Sequence, residues 1–304
     1  KKGEGSTMNT LKLQKLLQSF FIEDIGDGDI TCEAIFSPSD QGKAVFTAKQ
    51  SGIIAGVELI KEGFHLIDPD VKVNFEKKDG DVLKPGDKIA TVSGPVRSIL
   101  TGERVILNLL QRMSGIATMT HKAVALLGSS HTRICDTRKT TPGMRMLEKY
   151  AVRAGGGYNH RFGLYDGVML KDNHIAHAGS ILDAVVKVRE QVGHMVKVEV
   201  EIENKSQLLE AIEAGADVIM FDNCSPEVIK DWIPLVPAHI VTEASGGITL
   251  GTLHSFRDSG VDYISLGALT HSAGSIDISL DLLTERGTGN HEFITNASAA
   301  NAAR

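Results

Sequence analysis

From about His131 onward, short apolar segments alternate with amphipathic ones, and that alternation leaves few folds open. Apolar strands end at Cys135, Leu170, Ile202, Phe221, Thr242 and Leu266. Between several of them lie helical stretches: SILDAVVKVREQV (180–192), KSQLLEAIEAG (205–215) and PEVIKDWIPLV (226–236). Parallel strands need long crossover connections, so this repeat implies a parallel sheet covered by helices. The residues just after each strand favour a barrel over an open sheet. Polar groups recur there in order: Asp136-Thr-Arg-Lys, Lys171-Asp-Asn-His, Asn204, Asp222-Asn, Glu243-Ala-Ser-Gly-Gly and Gly267-Ala-Leu-Thr-His. Barrels carry their active sites at these C-terminal strand ends. One such residue alone reads as an ordinary loop residue, but six in succession do not. The pattern resolves six strands and leaves a seventh or eighth open.

KVEVEIEN (197–204) adds a constraint. Val198, Val200 and Ile202 alternate with Glu199, Glu201 and Glu203, so the three acids share one strand face. If helices cover the apolar face, the acids turn inward. Buried carboxylates need cations, metal or ligand beside them. Cations are concentrated between Cys135 and His174, where seven Lys/Arg face four acids in a chain of net charge -6. Arg138, Lys139, Arg161 and Lys171, with His160, suit planar anions. A triple glycine, 155–157, adds flexible backbone to the same stretch. Arg145, Lys149 and Arg153 recur every four residues, which predicts a solvated or interface face of a helix.

EASGGI (243–248) and SLGALTHS (265–272) follow the last two barrel strands. Small residues there let backbone N–H groups approach a phosphate, giving Ser245, Gly246, Gly247, Gly267 and His271 as candidates. His271 also fits an ordinary surface histidine.

The first half has a different grammar. Between about Gly42 and Val92, β-branched runs are cut by Gly, Pro and Asp turns, with a helix at VELIKEGFHLI (57–67). A longer helix begins near Arg97, with Ile99, Ile106, Leu109, Leu110 and Met113 at helical spacing. GDVLKPGDKI (80–89) is similar to the hairpins of biotinyl and lipoyl carrier domains. It lacks their flanked modifiable lysine, so a structural hairpin is expected. Three scattered cysteines, Cys32, Cys135 and Cys224, argue against a disulfide framework or zinc site and fit a reducing cytoplasm. The acidic balance gives no global attraction to nucleic acid, and no apolar run approaches a membrane span.

The chain resembles the quinolinate phosphoribosyltransferases, of the type II phosphoribosyltransferase family. The resemblance spans nearly all of Met8 to Leu283. It rests on EDIGDGDIT, GPVRSILTGERVILNLLQRMSGIAT, DTRKTTPGMRMLEKYAVRAGGGYNHRFGLYDGVMLKDNH, VEVEIEN, IMFDN, EASGGI and LGALTHS. It implies an α/β fold: an N-terminal α/β sandwich at 8–118 and an open parallel barrel of about seven strands at 119–273. A segment at 274–285 would return to the N-terminal domain. Residues 1–7 are expected to be an expression remnant and 286–304 a flexible tail.

The resemblance further implies transfer of phosphoribose from phosphoribosyl pyrophosphate to quinolinate with Mg2+, giving nicotinate mononucleotide, pyrophosphate and CO2 for NAD synthesis. Arg138, His160, Arg161 and Lys171 would hold the quinolinate carboxylates, with Arg104 joining from the second subunit of a homodimer. Lys139, Glu201 and Asp222 would face the phosphoribosyl pyrophosphate, the two acids also serving Mg2+. The loops Ser245–Gly247 and Gly267–His271 would take the 5′-phosphate. Two rivals share a barrel: a molybdenum-transport-associated relative, and a Schiff-base lyase using Lys139 or Lys171. The second leaves the inward glutamates and most arginines without a role.

Overall fold

The computed structural model describes residues 8–283, so the expectations for 1–7 and 286–304 lie outside the described residues. Two helices open the chain, α1 (Thr10–Ile25) and α2 (Ile30–Ile35), with side-chain caps from Asn9 and Asp29. A four-stranded antiparallel sheet comes next, in the order β12-β1-β5-β3. Its members are β1 (Gln41–Ala48), β3 (Lys72–Phe75), β5 (Lys88–Pro95) and, from the far end of the chain, β12 (Ile278–Leu282). A small pair, β2 (Gly52–Ile53) with β4 (Val82–Leu83), stands apart from it. The expected hairpin at GDVLKPGDKI is therefore corrected: β4 pairs with β2, while β5 pairs with β1 and β3. Pro85 and the Asp87 carboxylate, which accepts from the Lys84 N–H at 3.1 Å, turn the chain from one sheet to the other.

Helix α3 (Glu58–Ile67) and the long α4 (Val96–Leu127) complete this half, at the positions their apolar spacing predicts. Ile99, Ile106, Leu110 and Met113 on α4 are fully buried, as are Phe46 on β1 and Phe64 on α3. α4 runs on to pack against the barrel helix α5 (Arg145–Ala154). Two members of the triple glycine, Gly155 and Gly157, make that packing possible. A methyl group on Gly155 would lie 2.3 Å from the Ala117 carbonyl oxygen, and one on Gly157 would lie 2.7 Å from Thr120 Cγ2. These glycines serve close helix approach rather than anion contact.

The second half is a parallel sheet of six strands, in the order β6-β11-β10-β9-β8-β7. They are β6 (Arg133–Cys135), β7 (Val168–Leu170), β8 (Val198–Ile202), β9 (Val218–Asp222), β10 (Val241–Ser245) and β11 (Tyr263–Ser265). A single parallel bridge from Cys135 to Tyr158 adds the stub of a seventh. The sheet curls on itself: His160, beside one edge, reaches Glu199 on β8 near the other, at 2.9 Å. The Arg161 guanidinium also donates to the Gly167 carbonyl at 2.8 Å across the gap. The barrel is open and its missing wall is tied by side chains.

Helices α6 (Asp172–Ala178), α7 (Ile181–Arg189), α8 (Lys205–Glu213) and α9 (Pro226–Trp232) cover the outside, and a short α10 (Ala268–His271) comes after β11. Ser180, Asn204 and Ser225 cap α7, α8 and α9, satisfying N–H groups that the helix leaves free. Val198, Val200 and Ile202 are fully buried against this layer, as the alternation on β8 requires. Among the described residues, no helix is long and apolar enough to cross a membrane.

Candidate active site

The C-terminal ends of the barrel strands enclose a cavity of about 590 Å³. Arg138, Lys139, His160, Arg161 and Lys171 line it on the cationic side. Glu201, Asp222 and Glu243 line it on the acidic side, and Ser245, Gly246 and Gly247 at its rim. Ten of the residues singled out from sequence thus meet in one place, although they come from five different strand ends and the segment after Tyr158.

Gly267 and His271 flank it. A methyl group on Gly267 would lie 2.9 Å from Lys139 Cδ and 3.3 Å from His271 Nε2, so the three share one corner. The Thr270 hydroxyl donates to the Lys139 carbonyl at 2.7 Å, fixing the loop after β6 against α10. Arg104 stands apart. It projects from α4 with its side chain 61% exposed, and its nearest acid is Glu103 at 3.9 Å.

The strands aim the acids unequally. Glu199 is buried, Glu201 half-buried, and Glu203 exposed beyond the end of β8. The expectation of three inward carboxylates on this strand is corrected to two; the chain leaves the sheet at Glu203, whose N–H bonds Gln207 Oε1 at 2.8 Å. Glu201 pairs with Lys171. Burial raises the Glu201 pKa, against the opposing pull of Lys171. Asp222 accepts from Asn223 Nδ2 at 3.0 Å.

Asn223 has a positive φ of 54° and donates its N–H to the Ser245 carbonyl at 2.9 Å. Any side chain on Gly246, itself at φ 89°, would strike Asn223 Oδ1 at 2.3 Å. Glycine is what allows these two loop turns to nest.

Lys149 overturns its sequence reading. Of the three cations on its helix face, Arg153 is exposed and Arg145 half-buried, but Lys149 is fully buried in an ion pair with Asp136. Its ammonium also donates to the His160 carbonyl at 3.0 Å, while Asn159 Nδ2 donates to Asp136 at 2.6 Å. Asp136 further accepts the His160 N–H at 2.9 Å. Burial raises the Asp136 pKa despite Lys149 and these hydrogen bonds. This closed network sets the backbone of the His160–Arg161 segment. Its neighbours on the same helix are also engaged: Arg145 donates to the Phe162 carbonyl at 2.9 Å and Arg153 to the Gly157 carbonyl at 2.7 Å.

His160 sits between Glu199, at 2.9 Å, and Glu243, at 3.7 Å, through Nε2. Its Nδ1 accepts the Arg161 N–H at 2.8 Å. Burial lowers the His160 pKa, but the Glu199 hydrogen bond and the Glu243 charge outweigh it and the net shift is upward. The possible ligand atoms of these three groups lie within 4.8 Å of one another, and His160 Nε2 is engaged by Glu199. Glu243 did not emerge as a site acid from sequence; its one signal was its place at the end of a barrel strand. Burial, reinforced by the Glu199 charge, pushes its pKa up to about 7.

On the cationic side, burial and the neighbouring Arg138 both push the Arg161 pKa down. The Nε donors of Arg138 and Arg161 are buried without a partner among the described residues. Two repelling guanidiniums with unspent donors, beside Lys171, suit an anion with more than one acidic group. Cys135 and Cys224 line up poorly for nucleophilic chemistry, because burial raises both thiol pKa values.

The family description "Quinolinate phosphoribosyl transferase, C-terminal domain" matches residues 116–281, and its N-terminal counterpart matches residues 29–114. A "Probable nicotinate-nucleotide pyrophosphorylase [carboxylating]" of Bacillus subtilis (strain 168) is 61% identical over 275 residues, covering 90% of this chain and 95% of that protein. The chloroplastic nicotinate-nucleotide pyrophosphorylase [carboxylating] of Arabidopsis thaliana is 43% identical, covering 91% and 84%. The crystal structure of NadC from Streptococcus pyogenes superposes with a TM-score of 0.89 at 43% identity, covering 92% of this chain and all (100%) of that one.

Proposed function

The chain belongs to the quinolinate phosphoribosyltransferase family, and on that premise we propose how its barrel mouth divides the work of the reaction. The reaction transfers phosphoribose from phosphoribosyl pyrophosphate to the quinolinate nitrogen with decarboxylation. It yields nicotinate mononucleotide, pyrophosphate and CO2, and so feeds NAD synthesis. The observation that carries the assignment of the cationic wall is the pair of buried Nε donors on Arg138 and Arg161, unpartnered among the described residues. With Lys171 they bind the two ring carboxylates of quinolinate, and His160, whose ring nitrogens are engaged by Glu199 and the Arg161 N–H, orders Arg161 beside them. The opposite wall takes the sugar phosphate: Ser245, Gly246 and Gly247 at one rim, Gly267 and His271 at the corner with Lys139.

As pyrophosphate leaves, the ribose ring becomes cationic at C1. Glu201 and Asp222 lie where carboxylates stabilise that charge, and the Lys139 ammonium faces the leaving group. The pyridine nitrogen then attacks C1. The positive ring nitrogen so formed stabilises the electron pair left on the adjacent carbon when its carboxylate departs as CO2. Positioning and charge placement dominate, with little covalent work for the protein.

The donor set fits Mg2+, which prefers carboxylate oxygens and retained water. Asp222 and Glu201 would hold it, the latter through the oxygen not paired with Lys171, and the bound ion would neutralise pyrophosphate charge. A homodimer is part of the same reading. Arg104, exposed on α4 and away from its own cavity, is suited to cover the anionic ligands of a partner's barrel. Free cysteines at Cys32, Cys135 and Cys224 fit a cytoplasmic setting.

The test is to incubate the purified protein with quinolinate, phosphoribosyl pyrophosphate and Mg2+ and to follow nicotinate mononucleotide and CO2. Formation of both in equal amounts is expected, and absence of both defeats the reading. The shared site is tested by mixing Arg104→Ala and Lys139→Ala subunits. Half of randomly reassociated dimers are mixed and each has one intact site, so about a quarter of wild-type activity should return.

A further inference from the structure

Loss of CO2 creates a need that the residues assigned above do not meet. The C2–carboxylate bond breaks with its electron pair left on C2, beside the positive ring nitrogen. The product carries hydrogen there, so an acid must deliver one proton to C2.

Hydrogen-bond accounting in the barrel floor shows where a proton is held. The Arg161 N–H occupies the Nδ1 lone pair of His160, which places the ring proton on Nε2. That single N–H faces two carboxylates, Glu199 at 2.9 Å and Glu243 at 3.7 Å. Glu199 Oε1 and Glu243 Oε1 are buried without a well-formed hydrogen bond among the described residues, the Ser265 hydroxyl being near enough to Glu243 to pull its pKa down a little. Asp136 also faces this pocket, but its charge is already matched by Lys149, which has none left to give. Of the remaining neighbours, the Arg161 guanidinium acts on Glu199, while the Cys135 thiol and the Ser265 hydroxyl bring no positive charge to Glu243. Two bare carboxylates sharing one imidazole N–H, away from water, is a costly arrangement. Retaining one proton on the pair removes the cost. Glu243 is the member that lines the cavity, beside the cations assigned to quinolinate.

We propose that Glu243 is the carboxylic acid that protonates C2 after CO2 departs. The inference rests on the quinolinate reading of the site. In the step, the pair on C2 takes the proton from the Glu243 O–H, and the ring remains a pyridinium. The Glu243 carboxylate then recovers a proton from water before the next turnover. A pKa near 7 allows both halves of that cycle at neutral pH.

The experiment compares wild type, Glu243→Gln and Glu243→Asp in single turnovers with carboxyl-labelled quinolinate, following pyrophosphate and CO2 separately. In wild type the two appear together. In Glu243→Gln, pyrophosphate should form at close to the wild-type rate while net CO2 release slows by about 10²-fold, the scale of general acid catalysis. Glu243→Asp should recover part of the CO2 release. Wild-type turnover should fall as pH rises through about 7, and Glu243→Gln should lose that dependence. The proposal is overturned if Glu243→Gln releases CO2 at the wild-type rate. It is equally overturned if pyrophosphate and CO2 slow together, which marks a structural role. If Glu243→Gln does not fold, a folded Glu243→Asp with an unchanged pH profile and rate overturns it. Wild type that makes neither product rejects the quinolinate reading instead.

Discussion

Two interiors lie side by side in this chain and follow opposite rules. The space between the four-stranded sheet and α1, α3 and α4 is filled by Phe46, Ile60, Phe64, Ile89, Ile106 and their apolar neighbours. The floor of the barrel buries Asp136, Lys149, Glu199 and Glu243. Burial of the first kind stabilises by about 25 cal/mol per Å² of apolar surface. Burial of the second kind stabilises nothing by itself and is tolerated only where charges are matched. The difference teaches where to look for chemistry: the barrel floor matches Asp136 with Lys149 and leaves Glu199 and Glu243 to share His160.

The largest effect should come from giving the polar interior too little charge to match. Nicotinate has one carboxylate where quinolinate has two, leaving part of the Arg138, Arg161 and Lys171 set unpaired. Its catalytic efficiency should be lower by roughly 10⁴-fold, as expected for polar groups left unmatched in a closed site. Comparable efficiency in steady-state kinetics would remove the cluster from its assigned role.

Next comes a matched pair of substitutions, one in each interior. Phe46→Ala and Lys149→Met should each destabilise by about 3–5 kcal/mol, the first by a cavity and the second by an orphaned charge. Their pH responses should differ. Asp136 already has a folded-state pKa raised by burial, and loss of Lys149 raises it further. A carboxyl group with a raised folded pKa loses stability as pH rises from its unfolded value through its folded one. The Lys149→Met penalty should therefore shrink toward acid, and Asp136→Asn should relieve it; Phe46→Ala should show neither behaviour. Denaturant titrations at several pH values separate the two, and parallel curves would refute the distinction.

Asp222→Asn should lower turnover by about 10²-fold, on the scale of removing one transition-state charge partner. Quinolinate affinity should change far less, because the charge it stabilises develops on the sugar. A variant with full turnover and only weakened quinolinate binding would contradict this.

The smallest effect concerns the joint between the interiors. Gly155→Ala should cost about 1–3 kcal/mol through overpacking against α4, with little change in substrate affinity, read from thermal melts beside kinetics. A neutral outcome would mean that α4 and α5 slide apart easily.

Much of this architecture is legible in the sequence, because periodicity reports a strand or helix face without knowing its neighbour. The alternation in KVEVEIEN placed Glu199 and Glu201 on the inner face of β8, and the repeated strand and helix pattern pointed to the parallel sheet. The same logic failed at Lys149, although Arg153 on the same helix face is exposed as expected. Spacing of four residues identifies a helix face, but what covers that face is supplied by the loop at Asn159–Arg161 and the end of β6. Gly155 and Gly157, read from sequence only as flexible backbone, serve the close approach of α4.

By itself, then, the chain determined its local periods, its succession of strands and the cluster of cations and carboxylates at the strand ends, since each arises from contacts within a few residues. Only the tertiary structure decided which charges are spent and which are left to act. Lys149 is consumed by Asp136, Lys171 meets Glu201, and His160 is shared between Glu199 and Glu243. Those partners come from different strands, and a charge's protonation depends on the burial and neighbours it finds there.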